Sequence, residues 1–156
     1  KEENFVFFDF AENAYENALN TIDAQGVEVE LNWNAMKNLN VSANYTFTER
    51  KGDNAIRIPK HKINADFGYT FSDRIYASLQ YSYTGSRSDT DFNAFPAIDV
   101  PLEAFSLVNL YASHECIQNR LKVFVNMNNI LNQGYTEVLG FTTLGRNLLM
   151  GFSLSL

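Results

Sequence analysis

The residues with the most chemical potential lie in the turn-rich stretches of the sequence. Asp89, Asp91 and Asp99 stand close together between Ser86 and Glu103, and clustered carboxylate oxygens suit a hard cation. Their spacing matches no calcium loop, so a solvated turn is the competing reading and no metal site is assigned. Phe92, Phe95 and Tyr135 fall in similar polar stretches, where an exposed ring can grip a bulky ligand or pack against a neighbouring loop. Arg146 follows Gly145 and can touch a ligand, or cap a strand beside a carboxylate. The basic run RIPKHK, Arg57 to Lys62 with His61 inside it, offers charge to an anionic ligand or a lipopolysaccharide phosphate. An ordinary solvated strand end explains the same run. His114, Glu115 and Cys116 have a metal-like composition, but neighbours on a strand point to opposite faces, which denies them a common ion. No carboxylate pair, Ser/His/Asp set or phosphate-cradling loop is legible. The reading is therefore of a protein with no catalytic residues and no cofactor, not an enzyme.

These candidates need a scaffold, and the scaffold is written in period two. From Val27 the residues Val27, Val29, Leu31 and Trp33 alternate with Glu28, Glu30, Asn32 and Asn34. Leu39 to Phe47, Ile63 to Phe71, Ile75 to Tyr83, Leu121 to Met127 and Leu148 to Leu156 repeat the pattern. In the stretch Phe105–Glu115 the alternation is less clean: Val108, Leu110 and Ala112 share one face, Leu107, Asn109 and Tyr111 the other. A helix would scatter such residues around its surface. The pattern predicts eight strands, at 3–12, 15–35, 39–50, 56–71, 74–87, 104–115, 119–130 and 145–156, with a bulge or bend at Gln25-Gly26. Short connections at Met36–Asn38, Ser72–Asp73 and Cys116–Gln118 alternate with longer ones at Glu49–Ala55, Ser86–Glu103 and Leu131–Leu144.

Composition narrows the class. The 156 residues are 46% hydrophobic, yet mean hydropathy is −0.23, so apolar and polar residues interleave. No run approaches the roughly 18 apolar residues of a membrane helix, a test that barrel strands escape because they alternate. The net charge of −6 argues against nucleic acid as a partner. The single Cys116 forms no intrachain disulfide and is expected to be buried or inert. KEENFVFF at the start is not a signal peptide. Alternation leaves open whether the apolar face meets a dry core or lipid. Strands of at least about nine residues, aromatic strand ends at Tyr45, Phe47, Phe67, Tyr69, Phe71, Tyr81 and Tyr83, and an opposite face too polar for a core favour lipid. The expected fold is all-β: an antiparallel up-and-down transmembrane barrel of about eight strands. A soluble β-sandwich is the reading that a dry apolar centre would support.

Residues 126–156, NMNNILNQGYTEVLGFTTLGRNLLMGFSLSL, resemble the end of TonB-dependent outer-membrane receptors. In that family an Asn-Leu stretch with a following Tyr precedes a loop, a Gly-Arg pair and the last strand. Here Asn129-Ile130-Leu131-Asn132 with Tyr135, then Gly145-Arg146, stand in those places. Gly26-Val27-Glu28 and YTGSRSDTDF, Tyr83 to Phe92, match further family positions. The chain departs from the pattern by ending on Leu156 rather than an aromatic residue, and it contains neither the plug domain nor the TonB-contacting segment. The resemblance implies that residues 1–156 are the carboxy-terminal strands of a barrel of about 22. It also implies location in the bacterial outer membrane among its lipids, with the receptor's own plug and TonB as partners. The ligand would be a scarce metal chelate, cobalamin first and an iron–siderophore or haem complex next. Asp89, Asp91, Phe92, Phe95, Tyr135 and Arg146 are the candidate ligand contacts. The alternative is a self-contained eight-stranded barrel serving as an anchor or adhesin.

Overall fold

The computed structural model describes residues 6–9, 12–17, 23–51 and 56–155, and every regular element among them is a strand. In chain order these are β1 (Val6–Asp9), β2 (Ala14–Asn17), β3 (Asp23–Met36), β4 (Leu39–Lys51), β5 (His61–Ser72), β6 (Ile75–Thr84), β7 (Arg87–Asp91), β8 (Ile98–Leu102), β9 (Phe105–Ile117), β10 (Leu121–Asn128) and β11 (Asn147–Leu154). Seven of them form one antiparallel sheet in the order β3-β4-β5-β6-β9-β10-β11, while β1–β2 and β7–β8 are separate hairpins. The sheet is an up-and-down meander whose only interruption, β7–β8, projects from the long-loop end.

Cross-strand pairing sorts the side chains as the period predicts, since directly opposed residues share a face. One row runs Leu31–Ala43–Ala65–Tyr81–Val108, and a second row on the same face runs Leu39–Tyr69–Ala77–Ala112–Val125–Met150. The other face carries Glu30–Asn44–Asn64–Ser82 and Asn32–Ser42–Asp66–Gln80–Asn109. There the amide of Asn64 donates to Asn44 at 2.9 Å and that of Asn128 to Asn147 at 2.9 Å. Toward the short turns Tyr76 lies over Gly68 and Phe124 over Gly151, close enough that a Cβ on either glycine would clash with the ring.

Nothing covers the apolar face. Val27, Val29, Leu31 and Trp33 are each more than half exposed, and the only buried hydrophobic residues among those described are Leu102 and Phe105, both at the long-loop end. On the polar face Ser78 and Ser113 are buried, and a depression of about 430 Å³ is lined by Asn32, Asn44, Asp66 and Gln80. Among the described residues no second sheet packs on the apolar face, and the β-sandwich reading finds no dry centre. The edge strands β3 and β11 are not paired with each other, so the sheet is not a small closed barrel.

The register supplies independent evidence for a membrane. Each short turn is displaced along the strands relative to the one before it. With about 3.3 Å per residue and about 4.8 Å between strands, a step of roughly 2.5 residues for every two strands tilts them by about 40° when the turns share a plane. Transmembrane barrels tilt by about 35–45°. Tyr45, Phe47, Tyr81 and Tyr83 then sit toward one surface, Trp33, Tyr69 and Phe71 toward the other.

Several sequence expectations need correction. The strand placed at 3–12 is, where described, β1, and the described parts of the one at 15–35 are β2 and β3, which belong to different sheets. Asn13, with φ of 51°, turns the chain between β1 and β2, a conformation that Asn tolerates; residues 1–5 and 18–22 lie outside the described part. The sheet thus holds seven strands and enters at the long-loop end. Gln25 and Gly26 pair in unbroken register, and the irregularity falls at Asn34/Met36 instead. Gly26 is required because a Cβ there would stand 2.6 Å from the Phe47 carbonyl oxygen. The strand placed at 56–71 starts at His61, since Arg57 has φ of 61° and Pro59 has no amide to pair. Cys116 is exposed rather than buried; alternation places it beside His114 on the lipid face.

The lipid-facing assignment makes a quantitative prediction. Leu79→Arg, in the middle of the apolar face, is expected to cost about 2–4 kcal/mol in denaturant titrations of the bilayer-embedded protein, whereas Gln80→Arg on the polar face changes stability by less than about 1 kcal/mol. Equal costs would refute the orientation.

Candidate ligand-binding rim

At the long-loop end three segments converge: 56–60, 85–104 and 129–146. The first two meet through Asp89, which is 0% exposed. Its Oδ1 accepts hydrogen bonds from Arg57 Nε at 2.8 Å and from the Thr90 amide at 2.9 Å, and its Oδ2 accepts from the Leu139 amide at 2.8 Å. The Arg57 amide donates in turn to the Ser88 carbonyl at 2.8 Å. One carboxylate therefore ties all three segments. Burial alone would push the Asp89 carboxyl up, but the Leu139 and Thr90 amides and the Arg57 guanidinium together hold it below the usual range.

Arg87, two residues earlier, makes the second tie. Its Nη2 donates to the carbonyls of Thr136 and Glu137, each at 2.9 Å, and its guanidinium lies 5.3 Å from the centre of the Phe105 ring. Tyr135 packs on the other side of this arrangement, its ring 4.6 Å from that of Phe105.

The Asn-Ile-Leu-Asn stretch forms the third. Asn129 is buried at φ of 50°; its amide donates to Asn109 Oδ1, and its side chain both donates to the Gln133 carbonyl and accepts from the Gln133 amide, each at 2.9 Å. Asn132 Oδ1 accepts the Arg146 amide at 2.9 Å. A Cβ at position 145 would stand 2.9 Å from that same oxygen, which explains the glycine before Arg146.

The six candidate residues thus divide by geometry. Asp89 has both oxygens engaged within the protein, and Tyr135 is half-buried against Phe105. Asp91 Oδ1 accepts from the Asn93 amide at 2.9 Å, inside the β7–β8 turn. Phe92 is 67% exposed and Phe95 fully so, at the tip of the hairpin. Arg146 is exposed and makes no ion pair with a described carboxylate. Asp99 accepts from the Thr90 hydroxyl, and no group of three potential metal ligands occurs among the described residues. The sequence alone does not mark Arg57 and Arg87 as loop ties; the available signal is a pair of arginines beside proline- or glycine-containing turns in an acidic chain.

A tilted antiparallel sheet with an uncovered apolar face, a polar inner face and its longer loops gathered at one end is a wall of a transmembrane β-barrel. The chain belongs to the TonB-dependent receptor β-barrel family, whose model "TonB dependent receptor-like, beta-barrel" matches residues 2–130, and its place is the bacterial outer membrane. Among its relatives, the vitamin B12 transporter BtuB of Vibrio cholerae serotype O1 is 30% identical over 64 residues, 41% of this chain and 10% of that protein. The pyoverdine outer membrane receptor FpvA of Pseudomonas aeruginosa PAO1, bound to pyoverdine, superposes with a TM-score of 0.80 at 19% identity, covering 99% of this chain and 26% of that one. The ferric-catecholate import receptor Fiu of E. coli K12 gives 0.75 at 16% identity, covering 97% and 23%. The chain therefore spans a quarter or less of most of these relatives.

Three outcomes test the rim. Asp89→Asn is expected to raise the protease sensitivity of residues 87–102 by about tenfold or more, because it weakens the buried hydrogen bonds that close the loops. In the native protein the folded-state carboxyl titrates below its unfolded value, so its contribution is complete above about pH 4 and is lost as the pH falls through the lower folded value. Amide exchange of Thr90 and Leu139 should stay slow from about pH 7 to pH 5 after correction for intrinsic rates, and accelerate only in stronger acid. Asn129→Ala, which removes the side-chain hydrogen bonds to the Gln133 amide and carbonyl, should cost about 1 kcal/mol; a neutral effect in a denaturant titration would remove its organising role.

Proposed function

We propose that residues 1–156 are the wall and part of the ligand-capturing rim of a receptor that takes up a scarce metal chelate across the outer membrane. The observation that carries this reading is the contrast within one rim: the loops are locked together by buried ties, yet Phe92 and Phe95 are held out at the hairpin tip. Holding apolar rings in water costs free energy that a bulky ligand can recover. In this reading Phe92, Phe95, Asp91 and Arg146 meet the ligand, and Asp89 and Tyr135 position the loops that present them. The longer receptor would supply the plug, and TonB would relay inner-membrane energy to move it. The barrel contributes a polar wall and shaped rim rather than a reaction. The match to a vitamin B12 transporter supports cobalamin; the structural neighbours bound to or importing ferric chelates support an iron complex.

The full-length receptor carrying Phe92→Ala and Phe95→Ala together is expected to bind its chelate about 10- to 100-fold more weakly with unchanged denaturation midpoint. Uptake of labelled cobalamin or ferric chelate by cells should cease when a protonophore collapses inner-membrane energy. Uptake that persists in de-energised cells would sink the receptor reading in favour of a passive channel.

A further inference from the structure

At the short-turn end of the apolar face, a groove of about 680 Å³ runs over β6, β9, β10 and β11. That volume lies within the range of small-ligand sites. Its floor is Ala112, which opposes Val125 on one side and Ala77 on the other. Ile75, His114, Val123 and Phe152, successive partners in the next row toward the turns, form one bank. The hollow exists because alanine stands where a neighbouring row is bulky. One row further from the turns the same strands present Leu79, Leu110, Met127 and Leu148.

His114 is the one titratable side chain in this lining. It is exposed on the face that meets lipid. Among the described residues no hydrogen bond reaches its imidazole; the Cys116 thiol approaches only its carbonyl oxygen, at 3.9 Å. A polar ring turned toward hydrocarbon without a partner is costly. His114 lies close to Ile117, the end of β9, at the depth where the polar oxygens of a lipid begin.

Guanidinium groups stand in the turns on either side. Arg74 immediately precedes β6, its carbonyl accepting the Glu115 amide at 2.8 Å, and Arg120 immediately precedes β10, its carbonyl accepting the Ser155 amide at 2.8 Å. Both are exposed, and neither forms an ion pair with a described carboxylate. Of the acids at this end, Glu115 lies on the polar face with its carboxylate on the Asn119 amide at 2.9 Å, and Asp73 is exposed in the turn before Arg74.

We propose that the groove holds one diacyl phospholipid of the periplasmic leaflet as a resident ligand, with an acyl chain over Ala112 and the phosphate bound by His114 and the turn arginines. The occupant follows from position and charge. The groove is continuous with the lipid-facing belt, its short turns mark the periplasmic side, and an apolar trough ending in cationic donors fits a chain joined to a phosphate. A second copy of the chain fits poorly, because a two-fold axis along the membrane normal would set the same cations against each other at one depth. The proposal is independent of the uptake reading and requires only that the apolar face meets lipid.

The test is native mass spectrometry of the full-length receptor after incubation with phosphatidylglycerol, or with diacylglycerol of the same chains. One phosphatidylglycerol should stay bound under activation that strips diacylglycerol. Ala112→Phe fills the floor and should lower its occupancy by about tenfold or more. Ala43→Phe, on the same face but away from the groove, should leave it unchanged. His114→Phe keeps the bank apolar and should reduce retention of phosphatidylglycerol toward that of diacylglycerol. Equal effects of Ala112→Phe and Ala43→Phe leave only annular lipid and overturn the site. Equal retention of the two lipids, displacement by lipopolysaccharide, or loss of a second receptor copy in Ala112→Phe overturns it too. Should Ala112→Phe not fold, the unsubstituted receptor decides. Phosphatidylglycerol with a photoreactive acyl chain should label residues 112–125 in preference to 27–33, and uniform labelling refutes the proposal.

Discussion

In hydrocarbon a backbone amide has no solvent to turn to, and each unpaired group costs several kcal/mol. A strand can exist there only between two other strands, and this requirement organises the rest of the protein. It explains why the five interior strands of the sheet are hydrogen-bonded along both edges and why the described turns at the short-turn end are tight. The alternation follows from it, since a strand with lipid on one side and water on the other must change polarity at every residue. The β7–β8 hairpin and the loop 129–146 lie beyond the strand ends, where water can again satisfy backbone groups.

Freed from that constraint, the long-loop end substitutes side chains for strand pairing. Asp89 accepts two backbone amides and a guanidinium; Arg87 donates to two carbonyls; Asn129 bridges Asn109 and Gln133. Buried groups of this kind stabilise little in net terms but penalise any arrangement that leaves them unpaired, so they fix one loop geometry. The residues that give the sequence its family resemblance, Asn129, Asn132, Tyr135 and Gly145, belong to this locking.

The sheet was legible because its signal is local and repeated. Val27 to Trp33 or Ile75 to Tyr83 need only period two to declare both strand and face, and the ambiguous pairing of Val108, Leu110 and Ala112 came out as read. The β7–β8 hairpin was not legible. β7, RSDTD, has no apolar residue, and although Ile98, Val100 and Leu102 alternate in β8, IDVPL, that run is only five residues long and holds a proline, too little to declare a strand. The same reason hides the role of Asp89: a carboxylate in a Gly/Ser/Asp-rich stretch reads as solvated, and only a partner 50 residues away, Leu139, shows that it is buried. Arg57 and Asp89 are likewise joined across 32 residues. Long-range polar contacts leave no periodic trace, whereas strand faces do.

The stagger of the turns has one more consequence. Trp33, Val41, Phe67, Leu79, Leu110, Met127 and Leu148 are successive partners in a single row crossing all seven strands. Trp33 stands near the short-turn end of β3, and Leu148 is the second residue of β11, next to the long loop. The backbone ladder beneath these side chains therefore climbs obliquely through the bilayer, a diagonal brace joining the periplasmic surface to the exterior. Partners that look equivalent on a flat sheet live at different depths, in interfacial water, acyl chains or sugar headgroups according to where along the brace they fall.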